Sequence, residues 1–250
     1  MHVSALWRHP IKSHGRESIN SVELVAGQTM PWDRAWAVTH EASQPDAQTG
    51  TWVPCHNFMI GARTPALAGL WAKLDAQTQK LTLTHQDLGA LTFAPDEAED
   101  QARFIDWIAP LCPETRSRPT GIIRAAERAM TDSPLPTLSV MTDASHDAVA
   151  LAMGGALEKE RWRGNIWLSG TAPWEEFDWI GHELRIGAAV LRVEEPIERC
   201  SHTTANPRTG QRDADTLGTL ERHFGHLDFG VQARVIQSGT VNIGDEAARL

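Results

Sequence analysis

Short runs of alternating apolar and polar residues recur through the first hundred positions, separated by Gly, Pro, Asn and Asp. Such alternation is typical of half-buried strands, and the four separating residues interrupt regular structure. The pattern predicts strands over residues 6–9, 22–25, 35–39, 81–84 and 91–93. The stretch 27–33 has no regular pattern and is predicted to be a turn.

Apolar residues at helical spacing predict helices over residues 96–111, 143–157 and 216–223. Pro95 and a set of acidic residues mark the start of the first helix. Asp143 or Ser145 could cap the second helix. Gly225 follows the last turn of the third, where a residue with a left-handed backbone commonly ends a helix.

Strand-like patterns return in the second half, over residues 165–168, 183–186, 189–194, 231–236 and 240–243. Between the halves, residues 113–136 carry four prolines and are predicted to be a linker or a long surface loop. The fold is therefore predicted to be mainly β with a few helices, an α+β class. Two small β domains, residues 1–115 and 116–250, fit the pattern better than an alternating βαβ array.

The composition restricts the function classes. With 250 residues, of which 41% are hydrophobic, the chain can form a substantial core. Its formal net charge of -9 would repel the phosphates of a nucleic acid, so no nucleic-acid partner is expected. No stretch approaches the roughly 18–20 apolar residues that span a bilayer, and the first residues lack the order of a secretory signal. A cytoplasmic protein without a membrane partner is expected.

The three cysteines, Cys55, Cys112 and Cys200, form no CxxC pair. Their odd number argues against a disulfide scaffold, a structural zinc site and a CxxC-bound iron–sulfur cluster. Cys200 follows an apolar predicted strand and lies beside Arg199, which favours a thiolate. A thiolate is a soft metal ligand, and it could also act as a nucleophile with His202. A lone cysteine is, however, more often a small buried hydrophobic residue.

Cationic and polar residues lie at the edges of several predicted strands: Lys12 with Ser13, Arg34, and Arg163 with Asn165. Arg can hold a phosphate through two parallel hydrogen bonds, Lys adds a point charge, and Ser or Asn add neutral hydrogen bonds. Together they could hold one anionic ligand, whereas surface charge pairing explains each of them taken singly. No GxGxxG or GxxxxGK[ST] motif supports nucleotide binding.

The C-terminal half resembles MOSC domains, a family named after the C-terminal domain of molybdenum-cofactor sulfurases. The matching residues are Arg163-Gly164-Asn165-Ile166, Phe177-Asp178-Trp179-Ile180-Gly181, Arg199-Cys200, Thr203, Asn206-Pro207-x-Thr209-Gly210, Arg212-Asp213, Leu220, Phe224-Gly225-His226, Phe229-Gly230-Val231 and Gly239-x-x-x-x-Gly244-Asp245. The first hundred residues resemble the N-terminal β-barrel domain that precedes MOSC in one branch of the family. That match rests on Leu6-Trp7-Arg8-His9-Pro10-Ile11-Lys12-Ser13 and Asp33-Arg34-x-Trp36.

The resemblance implies a MOSC β-barrel core joined to an N-terminal β-barrel domain, with a molybdenum–molybdopterin cofactor (a Mo-pyranopterin) in the cleft between them. In such proteins the metal is bound by a pterin dithiolene and one cysteine, which Cys200 matches as catalytic residue and metal ligand. The resemblance implies that six further residues bind the cofactor: Lys12, Ser13, Arg34, Ser133, Arg163 and Asn165. Glu198 stands where animal relatives have a serine that contacts the cofactor, so the local hydrogen bonding differs.

The branch with both domains includes the mitochondrial amidoxime reducing component and bacterial relatives. The resemblance therefore implies an oxidoreductase that reduces N-hydroxylated compounds at molybdenum. Two alternatives are a carrier that delivers the cofactor or sulfur without turnover, and a two-barrel binding module. Some bacterial relatives carry an additional ferredoxin domain, for which this chain has no cysteines. A separate electron donor is expected, either a ferredoxin or a cytochrome b5-like protein with its reductase.

Overall fold

A computed structural model describes all 250 residues, which form fifteen strands, three α-helices and seven 3₁₀ helices. In chain order the strands are β1 (His2–Arg8), β2 (Glu17–Ile19), β3 (Ser21–Leu24), β4 (Trp36–His40), β5 (Trp71–Asp75), β6 (Lys80–His85), β7 (Gly89–Phe93), β8 (Pro119–Arg124), β9 (Leu138–Thr142), β10 (Ile166–Ser169), β11 (Glu183–Ile186), β12 (Ala189–Glu198), β13 (Asp228–Gln237), β14 (Gly239–Asn242) and β15 (Ala247–Arg249). The α-helices are α1 (Ala98–Ile108), α2 (Asp143–Ala152) and α3 (Thr216–Phe224). The 3₁₀ helices are Pro45–Thr49, Cys55–Asn57, Pro65–Gly69, Ala109–Leu111, Lys159–Trp162, Glu175–Trp179 and Ser201–Thr204.

Eight strands form one sheet, in the order β15-β11-β12-β13-β9-β10-β1-β2. All neighbours are antiparallel except β9 and β10, which are joined through α2 and run parallel. Backbone N–H groups of Val3 and Ala247 donate to the carbonyl oxygens of Asp245 and Met1, each at 2.9 Å. Because β1 thereby meets the segment that leads into β15, the sheet closes on itself and its barrel contains the first and the last strand.

Most of the first half forms a second unit beside this barrel. Strands β5, β6 and β7 form an antiparallel sheet, and β4 pairs with β8. Helix α1 buries Phe104 and Ile108, which are four residues apart and therefore share one face. Both belong to a core cluster that also contains Trp36 and Phe93, whereas the barrel interior has a separate, mostly aliphatic core that includes Trp179.

An aromatic cluster supports the segment that follows β12. The rings of Trp162 and Phe229 are stacked with centroids 3.9 Å apart, and Trp167 packs beside Phe229. These residues share a core with Val149 on α2 and Leu220 on α3. Aromatic pairs of this kind resist displacement, so they give the following loop a rigid base.

The mainly-β class with a few helices is confirmed. The assignment of residues 113–136 to a linker or loop is wrong in part, because β8 lies within it and pairs with β4. Helix α2 ends at Ala152 and not at residue 157, and Thr142, not Asp143 or Ser145, caps it by accepting a hydrogen bond from the Ser145 N–H. Gly225 ends α3 with φ of 78°, as predicted.

The strands at the start of the chain pack with those of the second half. Strands β1 and β2 belong to the large sheet, and β3 pairs with β14. The boundary between residues 1–115 and 116–250 stays a prediction, with strands from the first segment completing the barrel of the second. Among the helices, none combines the length and apolar character needed to span a bilayer.

Candidate functional site

One cavity of about 700 Å³ is lined by residues from both halves of the chain. All of the side chains that the resemblance assigns to cofactor binding lie on it: Lys12, Ser13, Arg34, Ser133, Arg163, Asn165 and Cys200. Ligand pockets of this volume accommodate a molecule of cofactor size. The fold therefore brings together residues that are up to 188 positions apart, from 12 to 200.

Cys200 lies on the turn that follows β12, and residues 199–204 are here called the Cys200 turn. Cys200 has an extended backbone (φ −106°, ψ 173°) and precedes the 3₁₀ helix Ser201–Thr204. The Thr203 amide N and Oγ1 both donate to the Cys200 carbonyl oxygen, at 3.2 and 3.1 Å. Cys200 is exposed, whereas Cys112 is buried. Its thiol is thus on a fixed backbone and open to a ligand.

Arg199 anchors the Cys200 turn to the aromatic cluster. Its Nε donates to the Phe229 carbonyl oxygen and its Nη1 to the Trp162 carbonyl oxygen, both at 2.9 Å. Burial lowers the pKa of the Arg199 guanidinium to about 9, so it stays charged at neutral pH. Charged donors to buried carbonyls are among the stronger hydrogen bonds in proteins, and they fix the position of the turn.

His202 is poorly suited to activate Cys200 as a nucleophile. Burial, followed by the charges of Arg163 and Arg16, lowers the pKa of the His202 imidazole to about 3. The ring is therefore neutral and a weak base, which disfavours a Cys–His nucleophile. Its Nδ1 has no hydrogen-bond partner.

Residues 60–62 of the first half contact the Cys200 turn directly. A Cβ at Gly61 would lie 1.9 Å from Nδ1 of His202, so only glycine permits this approach. The Ala62 carbonyl oxygen accepts hydrogen bonds from Ser201 Oγ at 3.4 Å and from Arg212 Nη2 at 2.7 Å. Sequence reasoning missed Gly61 and Ala62, since the contact joins positions 139 apart and leaves no local signal.

Lys12, Arg34 and Arg163 form what we call the cation wall of the cavity. The buried Lys12 Nζ donates to the Met130 carbonyl oxygen at 2.8 Å and pairs with Asp132 Oδ1 at 2.5 Å. Arg34 pairs with Asp33, and its Nη2 donates to the Arg163 carbonyl oxygen at 3.2 Å. The cations are thus held in place by other protein groups before any ligand arrives.

Arg163 differs from the other two cations, because one of its donors is free. Nη1 donates to the Gly15 carbonyl oxygen at 3.2 Å, whereas the buried Nη2 has no partner. Burial and the neighbouring charges of Arg34 and Arg16 lower the pKa of Arg163 to about 9. A buried donor without an acceptor is costly unless a ligand satisfies it, so Arg163 indicates an anion site.

Three of the cavity residues have a left-handed backbone that non-glycine residues rarely adopt. The φ angles are 62° at Ser13, 51° at Arg34 and 51° at Arg163. Such conformations cost on the order of 1–3 kcal/mol each and concentrate at ligand sites. Their coincidence in one cavity supports a binding role for this wall.

The two remaining polar residues have more of their hydrogen bonding satisfied internally. Asn165 Oδ1 accepts from Ser139 N and Oγ, and its Nδ2 donates to the Trp7 carbonyl oxygen and to Met30 Sδ. This amide therefore joins β1, β9 and β10 and has no free group for a ligand. Ser133 Oγ accepts from the Leu135 N–H at 3.1 Å and keeps its own proton to donate.

Glu195, Glu198 and Asp228 also line the cavity, and we call them the acidic lip. Glu198 lies directly opposite Asp228 in the pairing of β12 with β13. The acidic lip forms no ion pair, although like charges facing each other destabilise a sheet. Cys55 lines the cavity as well, and burial followed by the charge of Asp132 raises the pKa of its thiol.

The groups present fit an anionic cofactor that carries a thiophilic metal. The free Nη2 of Arg163 offers a hydrogen bond to an anion, the cation wall offers charge, and Cys200 offers a soft sulfur ligand. No group of three or more His, Cys, Asp or Glu residues is placed to hold a metal ion by itself.

Comparison with protein families gives two matches that together extend over most of the chain. A family model described as the MOSC domain matches residues 129–248. A second, described as the MOSC N-terminal beta barrel domain, matches residues 1–109. The predicted pairing of a MOSC core with an N-terminal β-barrel domain is therefore confirmed.

Among curated relatives, a molybdenum cofactor sulfurase from Drosophila grimshawi is 41% identical over 73 residues, which are 29% of this chain and 9% of that protein. The mitochondrial amidoxime reducing component 2 from Homo sapiens is 32% identical over 125 residues, 45% of this chain and 37% of that protein. The chain thus matches less than half the length of either relative. A crystal structure of the YUAD protein from Bacillus subtilis aligns over 98% of this chain and 93% of that chain, with a TM-score of 0.48 and 16% identity.

Proposed function

Because the chain belongs to the family of MOSC-domain proteins with a MOSC N-terminal beta barrel domain, we propose that its cavity holds a molybdenum–molybdopterin cofactor and reduces N-hydroxylated compounds. The observation that carries this proposal is the meeting of the exposed Cys200 thiol with the unpartnered Nη2 of Arg163 in one cavity. A thiol alone or a cation alone would be unspecific. Together they match the two ends of a ligand with a metal and a phosphate.

Different residues of the chain bind different parts of the cofactor. Cys200 is the metal ligand, and its sulfur is held in place because Arg199 and Thr203 fix the turn. Arg163 donates its free Nη2 to the anionic end, and Lys12 and Arg34 add charge at distances fixed by their own partners. The Ser13 and Ser133 hydroxyls donate neutral hydrogen bonds.

When bound, the cofactor supplies the two electrons for cleavage of the N–O bond, with the balance R–NHOH + 2 e⁻ + 2 H⁺ → R–NH₂ + H₂O. The protein leaves the Cys200 side of the cavity open, so a small substrate can reach it. The electrons come from a separate protein, a ferredoxin or a cytochrome b5-like protein with its reductase. We place the protein in the cytoplasm, with no membrane or nucleic-acid partner.

The proposal is tested with protein from a host that makes the cofactor. We expect stoichiometric molybdenum and pterin, and reduction of benzamidoxime to benzamidine by a chemical electron donor. Cys200→Ala should lose the metal and the activity, whereas Cys112→Ala, which removes a buried thiol away from the cavity, should keep both. Full activity in Cys200→Ala would contradict the ligand role.

The similarity to molybdenum cofactor sulfurases favours one other candidate, a carrier that delivers the cofactor or sulfur without turnover. The same binding residues serve in that case, because delivery also requires a held cofactor. The two candidates separate in one assay with cofactor-loaded protein and a cofactor-free molybdenum enzyme. Activation of the acceptor enzyme without any benzamidoxime reduction would support the carrier and contradict the reductase.

A further inference from the structure

The Cys200 turn is held from two sides. On the barrel side, Arg199 connects it to the Trp162 and Phe229 carbonyl oxygens. On the other side it contacts Gly61 and Ala62, which belong to the opposite half of the chain. The metal ligand proposed above therefore lies at a junction between the two halves.

Arg212 is the residue that joins the parts of this junction. One guanidinium nitrogen, Nη1, donates to the Ser201 carbonyl oxygen and to Thr204 Oγ1 within the turn. The other, Nη2, donates to the Ala62 carbonyl oxygen at 2.7 Å. Arg212 forms no ion pair with a carboxylate, so its charge serves these oxygens. A planar guanidinium can connect two backbone segments in this way, whereas a lysine has no such fork.

The segment that receives Arg212 is itself fixed. The Met59 N–H donates to the Val38 carbonyl oxygen at 2.8 Å, and the N–H groups of Arg63 and Thr64 both donate to the Ile60 carbonyl oxygen at 3.0 Å. Met59 also belongs to the core of the first half. Because this segment is attached to that core, the hydrogen bonds to the Ala62 carbonyl oxygen fix the Cys200 turn relative to the core of the first half.

We infer that Arg212 is a positioning residue, which clamps the Cys200 turn onto residues 60–62 and so fixes where the Cys200 sulfur enters the cavity. This inference rests on the proposed function only in taking Cys200 as the metal ligand. The close contact between Gly61 and His202 belongs to the same clamp, because it leaves no space for the turn to move toward the first half. Arg212 touches neither sulfur nor substrate; it acts through the backbone of the turn.

The test uses full-length, cofactor-free protein and the rate at which a disulfide reagent, 5,5′-dithiobis(2-nitrobenzoate), labels Cys200, read from the Cys200 peptide by mass spectrometry. Arg212→Met keeps the side-chain length and removes the donors. Its labelling rate should rise about fivefold, because Cys200 lines the cavity and a turn released by the loss of such hydrogen bonds lets this bulky reagent reach a thiol that is already open to a small ligand. The labelling rate of Arg212→Lys should lie between that of Arg212→Met and that of the unchanged protein, because lysine restores one donor group.

The matched control is Arg103→Met, which removes an exposed arginine paired with Asp100 on α1, away from the clamp. Its labelling rate should not change. In cofactor-loaded protein, Arg212→Met should broaden the Mo(V) electron paramagnetic resonance signal, whereas a purely structural role would change only the melting temperature.

An unchanged labelling rate in both Arg212 variants, or an equal rise in Arg103→Met, contradicts the inference that Arg212 clamps the Cys200 turn. If Arg212→Met fails to fold, the test uses the labelling rates of Arg212→Lys and Ser201→Ala instead. Each of these variants lacks part of the same contacts. The labelling assay contains no cofactor, so its failure leaves the reductase proposal standing. Conversely, protein that binds no molybdenum but shows the labelling change contradicts the reductase and supports the clamp.

Discussion

The cation wall and the Cys200 turn face the same cavity but are constructed in opposite ways. Arg163 on the wall and Arg199 on the turn are both half-buried, and the desolvation of their guanidinium groups lowers the pKa of each to about 9. The guanidinium group of Arg199 donates hydrogen bonds to the Trp162 and Phe229 carbonyl oxygens, whereas Nη2 of Arg163 has no hydrogen-bond partner. The arginine of the turn therefore has all its nitrogens hydrogen-bonded without a ligand, whereas the arginine of the wall does not.

The backbone shows the same contrast. Ser13, Arg34 and Arg163 all have positive φ, whereas Cys200 has an ordinary extended conformation. Positive φ is costly for non-glycine residues, so the backbone of Arg34 and Arg163 on the wall, and of Ser13 beside Lys12, is strained at the place where a ligand would bind. Substitution of Arg199 should therefore lower the stability of the fold, whereas substitution of Arg163 should weaken ligand retention.

The largest effect is expected on the turn. Arg199→Met leaves the Trp162 and Phe229 carbonyl oxygens without their charged donor, which should lower the free energy of unfolding by about 4 kcal/mol. Urea unfolding of the cofactor-free protein measures this. Arg192→Met, on the exposed side of the preceding strand β12, is the control and should change this free energy by less than about 0.5 kcal/mol. Equal free energies of unfolding for Arg199→Met and Arg192→Met would contradict the proposed difference between the turn and the wall.

The second largest effect is expected on the cation wall, where cofactor retention should fall while the stability of the protein is kept. Arg163→Met removes the free donor and one buried charge, so retention of the cofactor through dialysis should fall about 100-fold. The cofactor-free protein should keep its stability within about 1 kcal/mol, since a buried unpaired donor is lost together with the charge. If Arg163→Met binds the cofactor normally but unfolds easily, Arg163 stabilises the fold and does not retain the ligand.

The pH dependence of stability tests the support of the wall, because His14 Nδ1 is bonded to the Lys12 carbonyl oxygen at 2.7 Å. Burial lowers the pKa of the His14 imidazole to about 4, below its value in an unfolded chain. Between these values the unfolded chain binds more protons, so stability falls as the pH drops. From pH 7 to pH 5 the contribution should be about 2 kcal/mol.

His14→Gln should abolish that part of the slope in urea unfolding at several pH values. The exposed His182→Gln is its control and should leave the slope unchanged. An identical slope in His14→Gln and the unchanged protein would show that His14 is not the group responsible.

The smallest effect is expected at the acidic lip. Glu198→Gln should lower the preference for cationic over anionic N-hydroxylated substrates, measured as a ratio of kcat/KM, about threefold, because an exposed charge is screened by salt. Glu194→Gln is the matched control, since Glu194 lies on the same strand, pairs with Arg234 and is outside the cavity lining. A ratio that shifts equally in both variants would mean that only net charge matters.

The sequence was sufficient for features that leave a local pattern. Alternation indicated most strands, and Cys200 could be placed after an apolar strand because β12 is ten residues long. It failed for β8, where Pro119 at the strand's first residue and the flanking prolines suggested a loop. Proline is tolerated at that position, and pairing with β4 decided the outcome.

The site could be predicted only as far as the resemblance named its residues. That Arg163 keeps a free donor, or that Asn165 has none, depends on partners such as Gly15 and Ser139 that no spacing indicates. The contact of Gly61 with His202 is equally invisible, because glycine is selected there by a side chain far along the chain.

The closure of the barrel by β1 has a consequence for how the protein is made. During synthesis β1 emerges long before residues 245–247, which are needed to satisfy one of its edges. Contacts of such long sequence separation slow folding, and until they form the edges of β1 and β15 are open to other chains. A fragment of residues 116–250 would have an unpaired β10 edge and an unpaired outer edge of β15, whose other edge pairs with β11, and we expect it to aggregate where the whole chain folds.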